Sequence, residues 1–412
     1  MVSGRITRRR WLKTAGGGLV ARSLSAAAGH VQYDLLVHGG HVVDPASATS
    51  ARADVAVRAG KVARIAKSIP LAEARERIDA TGCVVTPGLV DAHVHVYDGV
   101  APLGIPPDPN CIAKGATTVL DGGSAGAHTF PGFRTYVIDV SETRIYALLN
   151  IGVAGQATFS NDNPYGELLD LRFVNADVTA ATIERHRDRI LGVKVRLTRN
   201  IAGDHDIEVL RRASAAARTV GVPVMAHIGG SHSPLDKILA LLQEGDVVTH
   251  AFREGPGGIL DEGGKVLQEV RDAVERGISF DVGHGATSFS FATAEKALAQ
   301  GFLPDIISSD LHAYNRNGPV YDLVTTLSKF MMLGLTLEQV IERATTNPAR
   351  VFRFPNTPGR LVPGAIADIG VFRVVDGPVT FVDSQGNRRA GTKWLQPTAT
   401  LKAGVLYGSA QS

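Results

Sequence analysis

The stretch GLVDAHVHVYDG, residues 88–99, places His93 and His95 two residues apart inside a short apolar run. Val90, Ala92, Val94 and Val96 alternate with Asp91, His93, His95 and Tyr97, so the spacing predicts a strand with both imidazoles on one face. On this stretch alone, two partly exposed surface histidines and a two-nitrogen metal clamp are equal readings. Four further residues bear on the choice. Lys194, His227, His250 and Asp310 each fall in, or at the end of, another β-patterned run. One histidine at a strand end is an ordinary core residue. Four histidines and an aspartate converging on one mouth, with no cation among them, would leave several buried polar groups in need of partners.

The elements that must bring these residues together follow from hydrophobic periodicity. From Val90 onward, β-rich runs at 90–96, 117–123, 144–152, 190–198, 222–230, 246–252, 278–285 and 304–312 alternate with helical or loop segments. The helical patterns include DIEVLRRASAAARTVG, KVLQEVRDAVERG and FATAEKALAQG. Eight strands joined by crossovers predict a parallel sheet closed into an α/β (β/α)8 TIM-like barrel, whose catalytic groups lie at the C-terminal strand ends. A doubly wound open sheet is the alternative, but no glycine-rich phosphate fingerprint follows the first strand. Before Thr86 and after Arg350 the chain reads as short strands and turns, with hairpin material in YDLLVHGGHVVDP and ADVAVRAGKVARIA turning at Gly39-Gly40 and Gly60-Lys61. These flanks are expected to pair into one small β-sandwich domain. The expected divisions are residues 1–30, 31–86, 87–350 for the barrel and 351–412 for the second part of the small domain.

Lys194 is the unusual member of the set. In GVKVRLT, alternation puts Lys194, Arg196 and Thr198 on the face opposite Val193, Val195 and Leu197. With the apolar face packed on outer helices, two cations point into the barrel. A buried lysine loses basicity, and its neutral amine can take up carbon dioxide to form an anionic carbamate able to bridge two metals. The alternative is a plain lysine paired with an acid such as Asp281. Arg196 could clamp a substrate carboxylate bidentately or form a structural ion pair. His284, ending the seventh run, could bind or polarise a substrate carbonyl. Tyr97 and His312 could serve as supports beside the ligands, and no role is assigned to His232.

Composition narrows the class. With 44% hydrophobic residues, 412 positions can bury one large core and a small second one, and no apolar run is long enough to span a membrane. The two cysteines, Cys83 and Cys111, suit neither a disulfide framework nor a cysteine-rich zinc site. The formal charge is +3, but residues 1–28 carry six Lys/Arg and no acid, so the body is at −3 with scattered charges. No nucleic-acid or membrane partner is expected. The basic start, TRRRWLKTAGGGLVARSLSAAAGH, resembles a twin-arginine export signal with an A-x-A site at Ala26–Ala28, although Arg22 interrupts its apolar region. This predicts a periplasmic or secreted protein, or a cytoplasmic one if the segment is only a basic tail.

The chain as a whole resembles the amidohydrolase superfamily over about residues 33 to 408. TPGLVDAHVHV is similar to its first-strand signature, and TTNPARVF followed by GRLVPGAIADIGVF to its exit from the barrel. DGGSAGAHTFPGFRTYVID, GVKVRLTR, GDVVTHAF, DVGHGATSFSFATAEKAL and SSDLHAYNRNGPVYDLVTTLSKF resemble the amidohydrolase/deacetylase, dihydroorotase-like subgroup. The resemblance implies a binuclear zinc centre. His93, His95 and Asp310 would hold the more buried ion, and His227 and His250 the second. Carboxylated Lys194 and a hydroxide would bridge them, with Asp310 as the catalytic proton carrier. It implies a hydrolase that removes an acyl group from an amide or ester of a carboxylate-bearing small molecule. A cyclic amidase of dihydroorotase or hydantoinase type is the alternative enzyme, and a non-catalytic scaffold on the same barrel is the alternative of another class. The chain is compatible with a homo-oligomer.

Overall fold

The computed structural model describes residues 31–159 and 166–409. The basic N-terminal segment read as an export signal lies outside the described residues. Among them, no helix is long and apolar enough to cross a membrane.

Seven parallel strands pair in chain order: Leu89–Val94, Ala116–Asp121, Arg144–Asn150, Ile190–Arg196, Val224–His227, Val247–Thr249 and Ser279–Asp281. The eighth expected strand closes the circle by isolated bridges rather than a ladder, Ile306 against Asp281 and Leu311 against Val94. His95 N donates to Leu311 O at 2.9 Å, and Val282 N to Ile306 O at 3.0 Å. Continuous pairing fails there for two reasons. Asp310 has φ +47, and Ser309 gives its N–H and Oγ–H to the Asp91 carboxylate instead of a neighbouring strand.

Several strands end earlier than alternation predicts, and they end where the backbone turns left-handed. His250 (φ +71) stops the sixth, Gly283 (φ +46) the seventh, and Gly229 (φ +96) follows the fifth. Helices wrap the outside. Asp206–Val220 buries Val209, Leu210, Ala213, Ala216, Ala217 and Val220 along one stripe and ends at Gly221 in the left-handed conformation. Gln268–Glu275 and Phe291–Ala299 occupy the other quoted helical patterns, the latter capped by Ser290 Oγ on Thr293 N.

The flanks build two sheets. Tyr33–His38, Asp54–Arg58, Lys61–Ala66 and Ala74–Asp79 form one. His41–Asp44, Thr49–Arg52 and Cys83–Pro87 join Ile369–Val382, Arg388–Lys402 and Val405–Ser409 in the other. Cys83–Pro87 pairs antiparallel with Ile369–Arg373, which ties the two ends of the chain together. Leu35, Val37, Val55, Val85, Val371 and Leu401 share the core between the sheets. The hairpin expected across Gly39-Gly40 does not form, because Tyr33–His38 and His41–Asp44 belong to different sheets. Gly40 makes that switch at close range: a Cβ there would meet Val85 Cγ2 at 2.5 Å. Both cysteines are buried and free.

Candidate metal centre

The strand ends bring six of the singled-out residues to one mouth. His93 Nε2 lies 2.7 Å from Lys194 Nζ and 3.5 Å from Asp310 Oδ1, and His95 Nε2 lies 3.1 Å from the same oxygen. The His250 ring is 5.3 Å from that of His93 and 4.1 Å from that of His227, centroid to centroid. Register accounts for part of this convergence: Arg196 pairs with His227, and His227 with Thr249, the neighbour of His250.

The rings of His93, His95 and His250 are each aimed by their other nitrogen. His93 Nδ1 is 3.1 Å from Thr249 Oγ1, which donates to Asp281 at 2.7 Å; Asp281 also accepts from Ser308 Oγ at 2.6 Å. His95 Nδ1 meets Ser124 Oγ at 2.9 Å, and His250 Nδ1 donates to Gly283 O at 2.7 Å. These bonds leave the Nε2 lone pairs for the centre of the mouth. Glycines make room behind them. A Cβ on Gly122 would come within 2.3 Å of His93 Cδ2, and one on Gly123 within 2.6 Å of Lys194 Cβ. At Gly285 it would meet Asp310 Oδ2 at 2.5 Å.

The electrostatics of the mouth are those of a cation site. Burial pulls the imidazoles of His95 and His250 down to about 3 and those of His93 and His227 well below their usual value, so all four are neutral. Burial also lowers Lys194 to about 8, with the Asp310 charge opposing. Lys194 contacts His93 and, at 3.7 Å, Met225 Sδ; among the described residues it pairs with no carboxylate, Asp281 included. Asp310 Oδ1 is buried, faces two imidazole nitrogens and makes no hydrogen bond. Nitrogen lone pairs and an orphaned carboxylate oxygen crowded together repel one another until a divalent ion sits among them, so these donors fit a metal. Among the described residues, His93, His95 and Asp310 bring one donor atom each within 4.8 Å of the others.

A cavity of about 460 Å³ opens above the cluster, with Leu103, Phe159, Arg196, Asn200, Ile201, Arg253, His312 and Tyr314 in its walls. Arg196 reaches it but is engaged: Nη1 is 2.8 Å from the buried Glu167 carboxylate, which also accepts from Asn150 Nδ2 at 2.6 Å. His284, expected at a substrate carbonyl, does not line this cavity. Its side chain is fully buried away from the cavity, with Nε2 2.8 Å from Lys329 Nζ, Nδ1 3.0 Å from Gly285 O, and its ring stacked on Phe289. Both nitrogens are occupied within the protein, so it cannot polarise a substrate carbonyl. Tyr97 stacks on Phe133 and donates to Thr129 O at 3.1 Å. His232 is exposed beside Asp204. Arg253 was not singled out by sequence pattern; its one signal is a cation three residues beyond His250.

Residues 84–392 match the Amidohydrolase family. A deacetylase of Agrobacterium fabrum is 37% identical over 328 residues, covering 80% of each chain. A deacetylase of Enterococcus faecalis is 34% identical over 384 residues, covering 92% of this chain and 100% of the relative. Two solved structures, one described as an adenine deaminase and one as a dihydroorotase, each superpose with a TM-score of 0.83 at 34% identity. They cover 92% and 91% of this chain, and 100% and 98% of their own. The match runs from the strand that joins the two β flanks through the whole barrel, and the chain belongs to the amidohydrolase family.

Proposed function

We propose that this protein is a zinc-dependent deacylase: it hydrolyses an amide or ester whose other half is a small carboxylic acid. The observation that carries the reading is Asp310 Oδ1, buried without a hydrogen bond and facing the Nε2 atoms of His93 and His95. His93, His95, His227, His250 and Asp310 would hold two zinc ions. Zinc bound there supplies Lewis acidity toward the acyl carbonyl and lowers the pKa of water to about 7. Lys194 would bridge the ions as a carbamate, formed when its neutral amine adds to carbon dioxide and releases one proton. That conversion puts an anion, in place of an uncharged amine, beside the two cations.

The remaining steps belong to the chain's own groups. Asp310 accepts the proton of the attacking water and returns it to the leaving nitrogen or oxygen. The neutral imidazoles of His93, His95 and His250, fixed through Thr249, Ser124 and Gly283, keep their Nε2 lone pairs turned to the mouth beside that carboxylate. Two arginines in the cavity wall favour an anionic substrate, and the relatives named deacetylase support acyl removal. The similar structure described as a dihydroorotase favours a second reading, cyclic amide opening.

The test is a substrate panel run on protein loaded with zinc and bicarbonate: acylated amino and hydroxy acids against dihydroorotate and hydantoins. Turnover of the acylated acids is expected. Turnover of the cyclic compounds alone would replace this reading with the second. Far less than one zinc per chain, with no activity, would leave a non-catalytic scaffold. For the N-terminal segment we propose twin-arginine export to the periplasm; a reporter fusion should lose export when Arg8 and Arg9, the pair one residue ahead of Trp11-Leu12-Lys13, are changed to Lys.

A further inference from the structure

Two guanidinium groups reach the cavity, and only one has a counter-charge. The Arg196 charge is met by Glu167 at 2.8 Å, and its plane lies over Phe159 at 5.4 Å. Arg253 pairs with no carboxylate among the described residues. Among the described residues its one side-chain hydrogen bond runs from Nη1 to Ile228 O at 3.3 Å, and its Nε is buried without a partner. A half-buried guanidinium whose Nε is shut off from water, with no compensating anion, is costly, and it marks a place where an anion is expected to arrive.

The position of Arg253 is built. Ile228 and Gly229 directly follow His227, and Arg253 lies three residues beyond His250, so its fork is bracketed by two histidine-bearing segments. A Cβ on Gly229 would fall 2.3 Å from both Nε and Nη1, and Gly229 holds φ +96. Glycine at this position is what lets the guanidinium lie flat against the backbone beside the metal cluster. Leu103, Phe159 and Ile201 add apolar wall to the same cavity.

We propose that Arg253, rather than Arg196, receives the substrate's carboxylate, and that the acid half carries an apolar substituent lying against Leu103, Phe159 and Ile201. This rests on the deacylase reading for the chemistry, but the anion site itself can be measured without catalysis. A planar fork matches a carboxylate through two parallel N–H···O bonds, which a lysine cannot reproduce.

The experiment is calorimetric titration of the zinc-loaded enzyme with phenylacetate and with phenylacetamide, alongside the acylated-acid assay. Wild type is expected to prefer the carboxylate. Arg253→Met should weaken phenylacetate by about a hundredfold and phenylacetamide by less than about threefold, and Arg253→Lys should weaken phenylacetate by about tenfold. Zinc content and thermal midpoint should stay at wild-type values. A carboxylate preference that survives in Arg253→Met would put the anion on zinc or Arg196 and overturn the proposal, as would a wild type with no preference. Should Arg253→Met lose zinc or melt early, Arg253→Lys decides: phenylacetate binding within about threefold of wild type counts against the fork. An enzyme that shows the Arg253-dependent preference yet hydrolyses no acylated acid keeps the anion site and loses the deacylase reading.

Discussion

Lys194 Nζ lies 2.7 Å from His93 Nε2, the nitrogen that also faces Asp310, and no carboxylate among the described residues pairs with this lysine. An uncarboxylated Lys194 can only donate to that lone pair, taking it away from a metal. As a carbamate it presents oxygens instead, and the lone pair is free. The two states therefore differ in the sign of the charge set against four neutral imidazoles.

Lys194→Ala should lose zinc and activity together, because both the bridging anion and the partner of His93 disappear. Short carboxylic acids such as acetate should restore part of both by occupying the space left by the side chain. Zinc analysis and turnover, with and without added acid, check this; unchanged zinc content would remove the bridging role.

A second prediction concerns a residue with no functional group. Alanine at Gly122 would put its Cβ 2.6 Å from His93 Nε2, too close for that ring to stay, and 3.3 Å from His95 Cε1, a contact that asks that ring to give by a few tenths of an ångström. Gly122→Ala should weaken zinc binding by about 10–100-fold while every ligand remains in the sequence. Gly301→Ala is the control. Its φ of +77 carries a cost of about 1–2 kcal/mol, but its Cβ meets nothing within 4 Å, so it should lose stability and keep zinc. Equal zinc retention in both variants would mean that the ring positions tolerate displacement.

The contrast with Gly301 shows what was legible in the sequence. His93, His95, His227, His250 and Asp310 could be read because each falls toward the end of a predicted strand, and Lys194 because alternation turns it inward within the fourth; a closed barrel sends such ends to one rim. The helix over Asp206–Val220 could be read because its apolar stripe repeats at helical spacing. His284 stands at a strand end too, yet it misleads. Gly283 at φ +46 turns the chain, and the ring goes to Lys329 instead of the cavity. The switch between sheets at Gly39-Gly40 depends on partners distant in sequence, which local alternation does not encode. Arg253 depends on the missing side chain of Gly229, a relation visible only in three dimensions.

Lys329 carries the last prediction. Its ammonium donates to His284 Nε2, Pro319 O and Val382 O, each at 2.8 Å, and burial brings its pKa down to about 7, with Asp383 and Asp322 opposing. The unfolded chain binds this proton up to about pH 10 and the folded one only to about 7, so stability contributed by this site rises with pH across that interval and is flat below it. Lys329→Met removes that slope and also strands three buried acceptors, at a cost of about 3 kcal/mol near pH 7. Urea unfolding of both proteins at pH 7, 8 and 9 should show wild type gaining on the variant by roughly 1 kcal/mol per pH unit. Parallel curves would mean that the ammonium keeps its ordinary basicity. Activity should fall less than stability does, because Lys329 touches the cavity only through His284, which anchors the start of the segment supplying Ala286, Thr287 and Ser288 to the wall.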